Sequence, residues 1–169
     1  QAIYGPLSDR FGRTRPLYFG LALFILASIG CAFARTVPQL VTMRLIQALG
    51  GCAEMVVARA MVRDCFDQRD AIRVLSLLIL VMGLAPILAP LVGGQLLVRL
   101  GWRTIFLALA AYAVLCLVAA VTTLGESLPA ERRRRDSAAD VARVYWRLLR
   151  DRTFMAYVLC GGLCISGMF

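Results

Sequence analysis

Apolar residues along this chain are gathered into runs too long and too unbroken for one face of a soluble helix. Pro16 to Ala34 contains no charge, and about nineteen residues at ~1.5 Å each cross a hydrocarbon layer of roughly 30 Å. The same reading predicts spans over about 16–34, 39–62, 74–98 and 104–124, with a fifth beginning at 153 and running to 169. Arg35-Thr36-Val37-Pro38 joins the first two spans, and Arg63 to Arg73 reads as a charged loop. Arg99-Leu100-Gly101-Trp102-Arg103 places a Trp at a membrane boundary, where aromatic belts form. Residues 126–152 turn polar, with Arg132 to Arg135 in a row. Inside that stretch Val141, Val144, Tyr145, Leu148 and Leu149 recur at helical spacing opposite Arg143, Arg147 and Arg150, which predicts an amphipathic helix lying on the membrane. The expected fold is an all-α membrane protein.

Composition strengthens this picture. Sixty per cent of residues are hydrophobic and mean hydropathy is +0.76, more apolar than a soluble domain can cover with polar surface. All 19 basic residues are arginines, against 10 acidic ones. A net charge of +9 would suggest nucleic acid in a soluble chain, but all of these arginines except Arg44 and Arg59 lie in the connections between spans, which favours anionic lipid headgroups over a DNA-binding face. Arg10, Arg13, Arg15, Arg63, Arg69, Arg73 and the eight arginines after Gly125 share one side; Arg35, Arg99 and Arg103 share the other. By the positive-inside rule the crowded side is cytoplasmic. The six cysteines include no C-x-x-C pair and there is no histidine, so they are expected to be small core residues and no metal or cofactor is expected. With no His, no Lys, no G-x-S-x-G, no H-E-x-x-H and no pair of transmembrane carboxylates, the usual acid, base, nucleophile and metal sets of an enzyme are missing. Gln1 is not a start methionine, and the first residues read as the end of a helix already under way, so the chain is expected to be part of a longer one.

The second span is unusually polar, with Arg44, Gln47, Glu54 and Arg59. A charge in hydrocarbon costs several kcal/mol, so these groups need a cavity, a partner or water. At 100° per residue Arg44, Gln47, Gly51, Glu54 and Ala58 fall within about 80° of one another, a stripe expected to line a cavity. Arg44 and Glu54 lie ~15 Å apart along the axis and cannot pair with each other, whereas Arg59 is near enough to the end to snorkel. Glu54 is a candidate titrating or cation-binding group. An interhelical hydrogen bond is the plainer reading of Gln47.

Gly5-Pro6-Leu7-Ser8-Asp9-Arg10-Phe11-Gly12-Arg13-Thr14-Arg15 forms a short charged connection in which Gly5 and Gly12 permit tight turns and Asp9 is held among arginines. It resembles the loop between helices 2 and 3 of the major facilitator superfamily, with Thr14 where a basic residue is usual. Arg44-Leu45-Ile46-Gln47-Ala48-Leu49-Gly50 is similar to that superfamily's helix 4 motif R-x-x-Q-G-x-G. Ala85-Pro86-Ile87-Leu88-Ala89-Pro90-Leu91-Val92-Gly93-Gly94 is similar to the helix 5 motif of its drug antiporters; two prolines should kink that helix and two glycines admit a neighbour. The stretches 58–64, 101–103 and 126–129 resemble the bicyclomycin-resistance (Bcr/CflA) type of multidrug efflux protein.

The resemblance implies the end of helix 2, helices 3 to 6 and the central cytoplasmic loop of a twelve-helix transporter, with residues 1–125 in the N-terminal half and 153–169 starting the C-terminal half. It implies proton-coupled export of small drugs or metabolites across a bacterial inner membrane, by a monomer driven by the proton gradient alone. Arg44 would couple proton movement to transport, Asp9 and Arg13 would latch the two halves, and the helix of Pro86, Pro90, Gly93 and Gly94 would form a gate. A proton-linked uptake symporter and a non-transporting structural subunit are the alternatives.

Overall fold

The structure, a computed structural model, describes residues 4–128 and 138–166, and among these every regular element is a helix. The chain divides into two compact units, the first ending near Arg133. The first unit contains α1 (Tyr4–Phe11), α2 (Thr14–Ala32), α3 (Val37–Cys65), α4 (Gln68–Leu100) and α5 (Trp102–Thr123). The second contains α6 (Ala138–Arg150) and α7 (Arg152–Ser166). Among the described residues α2 to α5 are long and apolar enough to cross a membrane.

The connections are tighter than the charge pattern suggests. Only Phe66 and Asp67 separate α3 from α4, and the charged stretch expected as a loop over 63–73 is mostly helical. A helix need not end where it leaves hydrocarbon: α4, at 33 residues, is ~50 Å long against a core of roughly 30 Å, so its charged turns extend beyond the apolar layer. The connection at 5–17 is likewise mostly helix. Gly5 lies within α1, and the chain turns only at Gly12, whose φ of 92° is a conformation that L side chains rarely adopt. Thr36 caps α3, its hydroxyl accepting the Gln39 N–H at 3.4 Å, while the Gln39 side chain accepts the Arg35 N–H at 3.2 Å; Pro38 stands in the first turn, where its missing donor costs little.

α2 is the centre of the first unit. One side crosses α3 through glycine: a Cβ on Gly50 would stand 2.7 Å from the Gly20 carbonyl oxygen and 2.7 Å from the Phe24 backbone nitrogen, and one on Gly20 would collide with the Ala53 side chain. α2 also packs against α5, and Leu17 and Leu21 join Val57 and Met61 of α3 and Ala120 of α5 in a core flanked by Tyr18, Cys116 and Leu117. Gly50→Ala must push backbone apart and is expected to destabilise the protein by ~1–3 kcal/mol. Thermal melting in detergent checks this beside Gly93→Ala, whose new methyl meets nothing within 4 Å among the described residues; equal melting of the two variants would show that the crossing is looser than this.

α4 runs as one helix through Pro86 and Pro90, and a Cβ added at Gly93 or Gly94 would meet nothing within 4 Å among the described residues. Proline in a membrane helix is tolerated without a break where the rest of the ladder holds. The apolar stretch of α4 has no buried residue. Of the cysteines, Cys31 is buried but Cys65 and Cys160 are exposed, so core packing accounts for only some of them.

In the second unit the amphipathic pattern forms a helix, α6, in which Val144, Trp146 and Leu149 are exposed. Arg150 stacks on Trp146 with its guanidinium carbon 5.2 Å from the ring centroid.

Candidate functional site

Two polar groups of side chains stand out in the first unit. One is built around Arg13, at the turn between α1 and α2. Its guanidinium, with side-chain exposure of only 9%, donates through Nη1 to Ser8 Oγ at 2.7 Å and to Asp9 Oδ1 at 2.6 Å, and through Nε to Asp64 Oδ2 at 2.7 Å. Ser8 in turn donates to the Gly5 carbonyl at 2.8 Å. α1 places Asp9 one turn before Arg13, and α3 must extend past its apolar stretch to bring Asp64 beside them. Burial works to lower the Arg13 pKa, but the hydrogen bonds and negative charges of Asp64 and Asp9 outweigh it and raise the pKa above its ordinary value. The cation is permanent.

The main chain of Arg13 is held separately. Glu126, just beyond α5, accepts the Arg13 N–H at 2.8 Å and the Leu128 N–H at 3.2 Å on Oε1, and the Thr14 hydroxyl at 2.8 Å and Thr14 N–H at 3.4 Å on Oε2. Burial pushes the Glu126 pKa up, but these bonds, that from the Arg13 amide first, bring it below the usual glutamate value. Of the five residues singled out in this loop by sequence, Asp9 and Arg13 meet, Gly12 makes the turn and Gly5 contributes its carbonyl. Arg10 is exposed and lies over Phe11, 5.5 Å from its ring centroid.

The second group lies inside the membrane spans. Arg44 Nη1 donates to Gln47 Oε1 at 2.8 Å, Gln47 Nε2 to Ser28 Oγ at 2.6 Å, and Ser28 Oγ to the Phe24 carbonyl at 2.7 Å, a chain leading from α3 into α2. The Arg44 guanidinium also lies over the Phe106 ring of α5, 5.3 Å from its centroid, and Trp102 packs edge-on against Phe106 at 6.0 Å. No carboxylate is within ion-pair distance of Arg44 among the described residues. The stripe read from sequence divides here. Gln47 is buried in the hydrogen-bonded chain and Gly51 faces Phe24, so both pack against α2; Ala58 and Glu54 are half-buried. Glu54 Oε1 is enclosed and has no hydrogen-bond partner among the described residues. A groove of about 320 Å³ on the last turns of α4, lined by Leu91, Val92, Gln95, Leu96, Arg99 and Leu100, includes none of the residues chosen by sequence.

Ser8, Ser28, Asp64, Phe106 and Glu126 join these groups without having been singled out individually. Asp64 and Glu126 fall within stretches that carried the efflux-protein resemblance, which is a signal without a role attached. Ser28, in an uncharged run, offers none.

The major facilitator superfamily model matches residues 1–169. The chain is 37% identical over 171 residues to an uncharacterized MFS-type transporter, YdgK, of Bacillus subtilis strain 168, taking in 100% of this chain and 42% of that protein. It is 34% identical over 162 residues to the multidrug resistance protein MdtL of Escherichia coli O9:H4 strain HS, and equally to MdtL of Shigella flexneri, covering 96% of this chain and 40% of theirs. It therefore spans about two-fifths of the length of these relatives. A full-length family match, joined to four apolar helices of membrane-crossing size, settles the lineage: the chain belongs to the major facilitator superfamily.

Proposed function

We propose that this chain works as part of a proton-coupled exporter of small drug-like molecules, of the bicyclomycin-resistance type, in a bacterial inner membrane with the arginine-rich connections in the cytoplasm. The observation that carries the reading is Arg44, a permanent cation inside a span, held by an amide and an aromatic ring instead of a carboxylate. A carboxylate brought within ~4 Å of such a cation in one conformation and not in the other would differ in energy by about 4 kcal/mol at an effective dielectric of ~20, enough to load and empty a proton. Glu54, with one oxygen enclosed and unpartnered, is the second proton-handling group in this reading. The multidrug name of the MdtL relatives supports export of drugs over uptake of nutrients.

Asp9 and Arg13 act as the cytoplasmic latch, made and broken as the cavity changes sides. α4, with Pro86, Pro90, Gly93 and Gly94 on an open apolar helix, supplies the gate. Protons, the substrate and anionic lipid are the partners, the energy source is the gradient itself, and the working unit is a monomer.

The test uses cells expressing the gene at the full length of its relatives. Efflux of a fluorescent lipophilic cation is expected, with collapse on addition of an uncoupler. Export that survives the uncoupler would remove the proton from the reading, and no export across a broad drug panel would remove the drugs.

A further inference from the structure

The geometry points to Glu126 as a positioning residue that grips the main chain of Arg13 and so ties the end of α5 to the Arg13–Asp9–Asp64 cluster. α2 begins without help from its own sequence: Arg13, at its cap position, has αR dihedrals and makes no side-chain cap, and no acidic residue stands in the first turn. The amides there would be left without acceptors. Glu126, 113 residues along the chain from Arg13, takes the Arg13 and Thr14 N–H groups instead, one on each carboxylate oxygen. A negative group at a helix N-terminus is also favoured by the peptide dipoles.

Three further details make this more than a cap. Thr14, where the resembled loop usually has a basic residue, adds its hydroxyl to the same carboxylate at 2.8 Å. Leu128 N–H returns to Oε1 at 3.2 Å, so Glu126 orders the segment leaving α5 as well as the one entering α2, and Leu128 itself is buried. Finally, the residue gripped by its main chain is the same one whose side chain reaches Asp9 on α1 and Asp64 on α3. A displacement of the end of α5 must therefore move Arg13, and Arg13 cannot move by an ångström without lengthening hydrogen bonds of 2.6 and 2.7 Å.

Hydrogen–deuterium exchange on the full-length protein tests this without any assumption about transport. Glu126→Gln keeps the size and loses the charge, and exchange is expected to rise about tenfold both at residues 12–16 and at residues 62–66 around Asp64, the effect of losing charged hydrogen bonds at one end of a connected cluster. Glu126→Asp should recover part of the protection. A rise confined to residues 12–16 would make Glu126 a local cap and overturn the inference. If Glu126→Gln fails to fold, Thr14→Val removes one of the bonds and should raise exchange at both places to a smaller degree. A transport readout rests on the exporter reading: maximal efflux rate should fall about fivefold or more with KM within about twofold, because a positioning residue acts on turnover and not on substrate contacts. Unchanged turnover alongside unchanged exchange at 62–66 would sink the inference alone, whereas a wild type that exports nothing would sink the exporter reading and leave the exchange result standing.

The proposal also fixes a pH expectation. The charged groups of the cluster are Arg13 at the turn, Asp9 from α1, Asp64 from α3 and Glu126 after α5. Because the Glu126 pKa is lowered in the folded protein, its contribution is present above the ordinary glutamate value and lost only as pH falls through the lowered one. Extra exchange in Glu126→Gln, corrected for the intrinsic pH dependence of exchange, should therefore be constant between about pH 6 and 8.

Discussion

Arg44→Ala in the full-length protein is expected to reduce gradient-driven efflux by about a hundredfold while leaving the protein folded, since losing ~3 kcal/mol of state-dependent stabilisation costs two decades in rate. The guanidinium has two attachments that alanine deletes, the bond to Gln47 and the contact with Phe106. Structural damage should be modest: Gln47 Oε1 loses its donor in a site only 3% exposed, a cost of about 1–3 kcal/mol. Arg44→Lys separates charge from shape, since an ammonium keeps the charge but not the planar fork that lies on the ring. If charge is what matters, Lys retains much of the activity; if the position of the guanidinium matters, Lys resembles Ala. Phe106→Leu should then weaken efflux less than either, because a cation–π contact contributes about 0.5–2 kcal/mol. Wild-type efflux from Arg44→Ala at matched expression would make Arg44 structural and turn attention to Glu54→Gln.

The largest loss of stability is expected from Arg13→Ala. It leaves the Asp9 and Asp64 carboxylates facing each other without their cation and removes a partner of the fully buried Ser8. Breaking a buried pair typically costs about 3–5 kcal/mol; with Asp9 and Asp64 side chains 36% and 23% exposed, water recovers part of this and ~2–3 kcal/mol is expected. Arg13→Lys should recover little, since one ammonium on a flexible stem cannot reproduce three bonds fixed by a planar fork. Adding Asp64→Asn to Arg13→Ala should restore part of the loss, because one of the two stranded charges is gone. Melting of the purified variants in detergent measures all of this. If the double variant melts below Arg13→Ala, charge imbalance is not what destabilises the single one.

The spans and the family were legible because hydrocarbon imposes a length and an apolar composition that few other folds share. The superfamily is one of transporters, which places this chain outside the enzymes and makes it a multi-pass membrane protein. Helix ends were less legible. Charge marks where a span leaves the apolar layer, yet α3 and α4 continue through charged residues until Phe66 and Asp67, and the sequence distinguishes these two boundaries poorly. Thr36-x-x-Gln39 is the contrary case, a local capping pattern that can be read directly. At the site, Asp9 and Arg13 lie one helical turn apart, so their pairing follows from local spacing. Asp64 and Glu126 come from 51 and 113 residues away from Arg13, and only tertiary structure brings them there. Ser28 was illegible because a hydroxyl in a membrane helix commonly bonds its own i−4 carbonyl and signals nothing further. Gly93 and Gly94 were expected to admit a neighbour; in α4 they open onto no described residue.

Neither Gly20 nor Gly50 has room for a Cβ at the α2–α3 crossing, and this limits how the gene can drift. Every single-base change that alters the meaning of a glycine codon either ends translation or adds a Cβ. Neither position therefore has a first mutational step that leaves the α2–α3 crossing intact. Substitutions at these two sites should be purged early in any lineage that keeps the fold, so the two helices are inherited as one piece.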